Sequence, residues 1–141
     1  MFTKEDRSTF PYWFAHACAF NMTALNLKVW KFKYLFHDFE KPWLKLFMRD
    51  YMKVQKWHRH HNKHHVEYLF MHGKADMEAM AIDWECSRFT KQAQQLDAMG
   101  EFLRKYNSVP ADNAELLYKV MKPVLIDLGL WRDKEDPKLK V

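Results

Sequence analysis

Glycine and proline are so scarce in this chain, three and five among 141 residues, that little interrupts a helix once it has started. Most of them stand where a helix would begin or end, and no Asn-Gly or Asp-Gly pair offers a hairpin turn. Between these breaks apolar residues recur at helical spacing, which predicts an all-α fold of about five to six helices. Ser8 or Thr9 caps a first helix that carries Pro11 in its first turn and runs to about Asn26. A short aromatic helix is expected from Lys28 to Asp38. Pro42 opens a third helix, whose apolar residues Leu44, Phe47, Tyr51 and Val54 step by three or four. After a break at Gly73, Asp76 caps a fourth helix from Met77 to about Gln94. A fifth covers about Leu96 to Tyr106, and a sixth, capped by Asp112 and kinked at Pro123, stops at Gly129.

Composition excludes several classes of protein. With 48% hydrophobic and 16% aromatic residues, the chain has ample material for a core and is not disordered. Its length suits a single domain over residues 1–131, with a core in 10–95, C-terminal helices in 96–131, and a charged tail, 132–141, expected to fray. The formal net charge of +5 suits an anionic substrate. That charge is spread along the chain, so nucleic acid is not the favoured partner. No stretch approaches the roughly 18 apolar residues of a membrane span, and Met1-Phe-Thr-Lys4 lacks the basic-then-apolar design of a signal peptide. Cys18 and Cys86 form no CxxC pair or disulfide framework, so a cytoplasmic location is expected. A homodimer is left open.

Eight histidines are an unusual share, and five of them lie between His58 and His65. Imidazoles and carboxylates are the common ligands of first-row divalent metals. A His-rich tract can be a mere surface sink for metal. Here, however, it continues the core-facing stripe of the third helix, through Val54 to His58, His61 and His65. Other candidate ligands recur on separate elements: His16 on the first helix, His37 and Asp38 at the end of the aromatic segment, and Asp83 on the fourth helix. Asp83 shares a face with Ala79, Met80, Ser87 and Thr90, mostly small or polar residues that leave room for a cavity. Ile82, Cys86, Phe89 and Ala93 form an ordinary core face beside it. Adjacent helical residues point about 100° apart, so His37 and Asp38 reach one ion only near a helix end.

The order His16, His37-Asp38, histidine cluster, Asp83 resembles the HD-domain superfamily, all-helical metal-dependent phosphohydrolases with the ligand order His, His-Asp, Asp. His37-Asp-Phe-Glu-Lys41 is similar to the His-Asp-x-x-Lys form of many members. His64-His65-Val-Glu67 resembles the His-His pair followed by an acid in members that hold two metals. His58-x-x-x-Asn62-x-His64-His65-x-Glu67-Tyr68, with Asp83-Trp84, also resembles a small HD-like family of bacteria and their phages. The resemblance covers about residues 10 to 95. It implies an HD-like helical domain with His16, His37, Asp38, His58, His64, His65 and Asp83 as metal ligands. One departure is the closeness of His58 to His64 and His65, since the corresponding histidines usually stand on different helices. Helical spacing selects His58, His61 and His65, whereas the family pattern selects His58 with His64 or His65. Either the chain turns sharply near Asn62, or only one of the later histidines binds.

The resemblance implies hydrolysis of a nucleotide or another small phosphate ester with one or two divalent ions: Mn, Fe, Co, Ni or Zn, with Mg as a further choice. Asp38 is the expected bridging carboxylate. Lys41, Arg59, Arg88 and Lys91 each lie within a few residues of a ligand and are the candidate phosphate-binding cations. Glu67, in preference to Glu40, is expected to orient a ligand histidine or act as general base, so Asp38, Lys41 and Glu67 form the expected catalytic set. Two other readings stand beside this one. The first is a di-iron oxygenase of the HD type. The second is a non-catalytic binding or inhibitor protein with a structural metal site, in which Trp30, Trp43 and Trp131 form an aromatic partner face.

Overall fold

Thr9 starts the first helix by accepting the Tyr12 N–H at 3.3 Å, and Pro11 occupies the first turn, where a backbone N–H has no intrahelical acceptor. The computed structural model describes residues 9–47, 50–90 and 96–139; Ser8, the alternative cap, lies outside the described residues. α1, Phe10–Asn26, buries Tyr12, His16, Phe20 and Thr23 along one face. That face lies against α5, Met77–Thr90, which Asp76 opens by accepting the Ala79 N–H at 3.1 Å.

α5 is enclosed rather than amphipathic, for every residue from 79 to 87 is buried. On one side, Phe20 and Ala24 of α1, with Tyr34 from a 3-10 turn at Phe32–Phe36, pack on Ala79, Ile82 and Cys86. On the other side stand α6, Ala98–Ser108, and α7, Ala111–Asp127. They press Met99, Phe102, Leu117, Met121 and Leu125 against Met80, Ala81 and Trp84. Full burial of a side chain of this size contributes about 1.5–3 kcal/mol. Polar groups on such an enclosed helix need partners. Glu85 has one in the Ala98 N–H, 2.9 Å away at the start of α6. Asp83 finds its partners on the α1 side.

Among the described residues all regular structure is helical. The segment expected as an aromatic helix from Lys28 to Asp38 is instead the five-residue 3-10 turn. Lys28 adopts a left-handed φ of 61°, and contacts to both neighbouring helices hold the 3-10 turn in place. Asn21 of α1 donates to the Tyr34 carbonyl at 2.9 Å, the Tyr34 hydroxyl donates to Glu78, and Lys33 pairs with Asp76 at 2.7 Å. The expected third helix is divided into α2 (Glu40–Phe47), α3 (Tyr51–His61) and α4 (Val66–His72). Asp50 caps α3 by accepting the Met52 N–H at 3.0 Å, and Asn62 leaves the helix in an extended conformation. The side chains of Leu44, Phe47 and Tyr51 lie outside the described residues, while Val54 is buried as expected.

Smaller differences follow from packing. Pro110, not Asp112, occupies the cap position of α7, and Asp112 lies in its first turn. Phe89, expected in the core, is exposed; Ala93 and Gln94 lie outside the described residues. The tail does not fray over its described part. Asp136 is fully buried, accepting from the Tyr118 hydroxyl at 3.0 Å and from Lys122 at 2.8 Å. Trp131 packs edge-on against Phe102 and Tyr118 instead of joining Trp30 and Trp43 at the surface. Gly73 and Gly129, with φ of 75° and 72°, supply the left-handed residues at the ends of α4 and α7. No helix among the described residues is long and apolar enough to cross a membrane.

Candidate metal centre

The polar face of α5 meets three other segments. His16 projects from α1 one turn beyond Tyr12, whose ring stacks on it with centroids 5.9 Å apart. The 3-10 turn delivers His37, which lies flat on Phe20 at 3.7 Å. Asp38 follows with a left-handed φ of 56°, a conformation that aspartate tolerates better than most residues. Its carbonyl accepts the Trp13 indole N–H at 2.8 Å and the Lys41 N–H at 3.0 Å, which hold the peptide in place. This reversal lets two adjacent residues face one site, which a straight helix does not allow. His58 enters from the last turn of α3, and His64 and His65 enter from the turn after Asn62.

The donor atoms form two groups divided by the Asp38 carboxylate. In the first, His16 and His37 bring their Nε2 atoms within 2.8 and 3.2 Å of Asp83 Oδ1 and 3.2 Å of each other. Asp38 Oδ2 stands 3.8 and 3.7 Å from the same two nitrogens. In the second, Asp38 Oδ1 lies 2.9 Å from His58 Nε2 and 3.0 Å from His64 Nε2, and His65 completes the cluster. Short as these distances are, neither Asp38 oxygen has an aligned donor among the described residues. The Nε2 atoms of His58, His64 and His65 likewise make no hydrogen bond there. Donors about 2.1 Å from a shared ion stand about 3.0 Å apart along an octahedral edge and about 3.4 Å along a tetrahedral one. Buried imidazoles and carboxylates gathered at these spacings could hold a metal ion.

At Asp38, Asp83, His37 and His65 the electrostatics suit that role. Burial resists the charge on Asp38, but His37, Lys41 and His58 outweigh it and hold the carboxyl well below its usual range. Burial resists Asp83 in the same way, and hydrogen bonds from His16 and His37 hold it well below. Burial pushes His37 down to about 4, and burial, with His64 and His58 nearby, also pushes His65 far down. Burial works against His58 as a cation too, yet Asp38 and Glu40 raise it. Ionised carboxylates and neutral imidazoles are the forms that ligate metals.

The structure brings His16, His37, Asp38, His58, His64, His65 and Asp83 together and separates others. His61, on the helical stripe, is exposed, stacked on Trp57 at 4.3 Å, with Nδ1 on the Trp57 carbonyl. His60 bonds its own helix likewise. The helix ends before it can bring His61 inward. The roles expected of the two glutamates are reversed around His58: Glu40, at the start of α2, bonds His58 Nδ1 and accepts from the Asn62 amide. Glu67 lines a cleft beside His65 instead. Lys41 Nζ sits 2.8 Å from Asp38 Oδ2; burial opposes its charge, but Asp38 holds its pKa above the ordinary value. Lys41 and Arg59 line a cleft over Asp38, with Tyr12 and Gln55. Arg88 instead pairs with Glu85 at 3.1 Å and lies over Phe89, and Lys91 lies outside the described residues.

Several contributors carry no clear mark in the sequence. Cys86, expected as plain core, directs Sγ to the Asp83 carbonyl at 3.2 Å and lies 3.9 Å from His16 Nδ1. Tyr12 stands one helical turn before His16, a spacing that signals a shared face. Trp13 and Glu40 carry no comparable signal, because their roles depend on contacts between elements. No protein-family model, curated protein or solved structure matches this chain.

Proposed function

We propose that this chain is a metal-dependent phosphohydrolase of the HD-domain type, acting on a small phosphate ester, with a nucleotide as the expected class, through a two-ion centre. One observation carries the reading. Asp38 turns Oδ2 towards His16, His37 and the Lys41 ammonium and Oδ1 towards His58 and His64. A carboxylate so divided suits a bridge between two ions. The imidazole-rich donor set favours Mn, Fe, Co, Ni or Zn over Mg. A divalent ion in such a site supplies Lewis-acid polarisation of a phosphoryl oxygen and acidification of water.

The chain's own residues do the rest. Glu40 holds His58 by Nδ1 and so keeps Nε2 aimed at Asp38. Lys41 remains charged beside Asp38 and, with Arg59, places positive charge in the cleft where a phosphate would lie. Trp13 keeps the Asp38 peptide in its reversed conformation.

Metal analysis of tag-free protein should find about two ions per chain, and a screen of nucleoside mono- and triphosphates with Mn, Co, Ni, Fe and Mg should release phosphate. Protein that retains no metal after reconstitution would sink the reading. Oxygen consumption by the iron-loaded protein without phosphate release would move the assignment to a di-iron oxygenase, which the same histidine-rich donor set also suits.

A further inference from the structure

Two clefts meet at Arg59, His65 and Asp83. One opens over Asp38 and Lys41. The other leads away between α4 and α6, with Trp84 and Ser87 of α5 among its lining residues. Its walls carry the cations Arg59, Arg104 and Lys105 and the acids Glu67, Asp83 and Glu101. Arg104 is already matched, for it forks onto Glu101 at 2.6 and 3.1 Å. Among the described residues, no ion pair or hydrogen bond engages the charged ends of Arg59 and Lys105. Lys105 is half-buried. Burial pushes its pKa down, Glu101 and Glu67 recover too little to reverse this, and Arg104 and Arg59 add to the depression. Its charge is therefore held in the cleft without adequate compensation.

We infer that the second cleft is a subsite for a second anionic group, so that the substrate carries two separate negative groups, one at Asp38 and Lys41 and the other between Arg59 and Lys105. This names the substrate class of the phosphohydrolase site and rests on that reading. Arg104 answers Glu101, and Asp83 is engaged by His16 and His37, which leaves Arg59 and Lys105 facing one acid, Glu67. An incoming anion therefore gains more than a cation, and a neutral tail would leave both cations partly desolvated and unpaired. Glu67 confines the anion to the Arg59 and Lys105 side by repulsion.

The metal-loaded chain should be titrated calorimetrically with propylphosphonate and with straight-chain alkane bisphosphonates of increasing length, which share a head group and resist hydrolysis. At least one bisphosphonate should bind about tenfold tighter than the monophosphonate. Lys105→Met should remove that advantage while monophosphonate affinity and metal content stay at wild-type values, and Glu67→Gln should enlarge it. Equal affinity at every chain length, or an advantage that survives Lys105→Met, overturns the inference. If neither metal nor monophosphonate binds, yet a bisphosphonate still binds in a Lys105-dependent way, the hydrolase reading fails and the anion subsite stands.

Discussion

The donors around Asp38 Oδ2 and those around Oδ1 are built in opposite ways. His16, His37 and Asp83 come from three distant segments and engage one another, with both imidazoles reaching one Asp83 oxygen. His58, His64 and His65 come from one short stretch, and their Nε2 atoms have no hydrogen-bond partner among the described residues. The first group satisfies itself and doubles as part of the packing between α1 and α5. The second leaves buried nitrogens uncompensated, at about 1–3 kcal/mol for each such group. Contacts within the fold account for the spacing of the first group; the second is the group whose nitrogens a bound ion would compensate.

Asp38→Asn tests the shared member and should have the largest effect. Asparagine also tolerates the left-handed backbone, so circular dichroism should show the fold kept. Metal affinity, read by titration, and phosphate release should both fall at least about a hundredfold. Affinity within a few-fold of wild type would dissolve the distinction between the groups. Next comes Glu40→Gln, which should weaken metal binding about 10–100-fold in the His58 group alone. It should appear as the loss of one phase in a two-phase metal titration, whereas a uniform weakening of both phases would mean that the groups are not separate.

The pH dependence of the metal-free protein separates the groups more gently. His37 is lowered from 6.5 to about 4 in the fold, so on acidification the unfolded chain takes up the proton first. Its contribution to stability is complete above about 6.5 and drains away as pH falls towards about 4. His65 is lowered and acts in the same sense. His58, raised by Asp38 and Glu40 against burial, acts in the opposite sense: its contribution is present below about 6.5 and is lost as pH rises through its folded value. Asp38 and Asp83, both depressed, weaken the fold only below about pH 4. Melting temperatures should therefore drop from pH 6.5 to 4, less steeply in His37→Gln, while the loss of stability as pH rises above about 6.5 should be smaller in His58→Gln. Identical profiles in all three proteins would contradict the opposed signs. The smallest effect belongs to His61→Ala, which should change stability by no more than about 0.5 kcal/mol and leave metal affinity untouched. Lost affinity would return His61 to the site.

Much of the architecture is legible in the sequence. The scarcity of Gly and Pro and the helical spacing of apolar residues point to an all-α chain. The bounds of α1 and the position of Asp83 on an enclosed face follow from the same local rules. The 3-10 turn is not legible, because Asn21, Asp76 and Glu78, on other elements, hold it. Nor is the exposure of Phe89, on the edge of α5 that no neighbour covers among the described residues.

By itself the sequence determined the helical class and the order of candidate ligands, because both rest on local spacing and on the chemistry of single side chains. Tertiary structure alone decided that α3 stops at Asn62, that His64 and His65 rather than His61 turn inward, that Glu40 rather than Glu67 holds His58, and that Lys105 faces the same cleft as Arg59. Each of these depends on a contact between elements distant along the chain, where no periodicity carries the information.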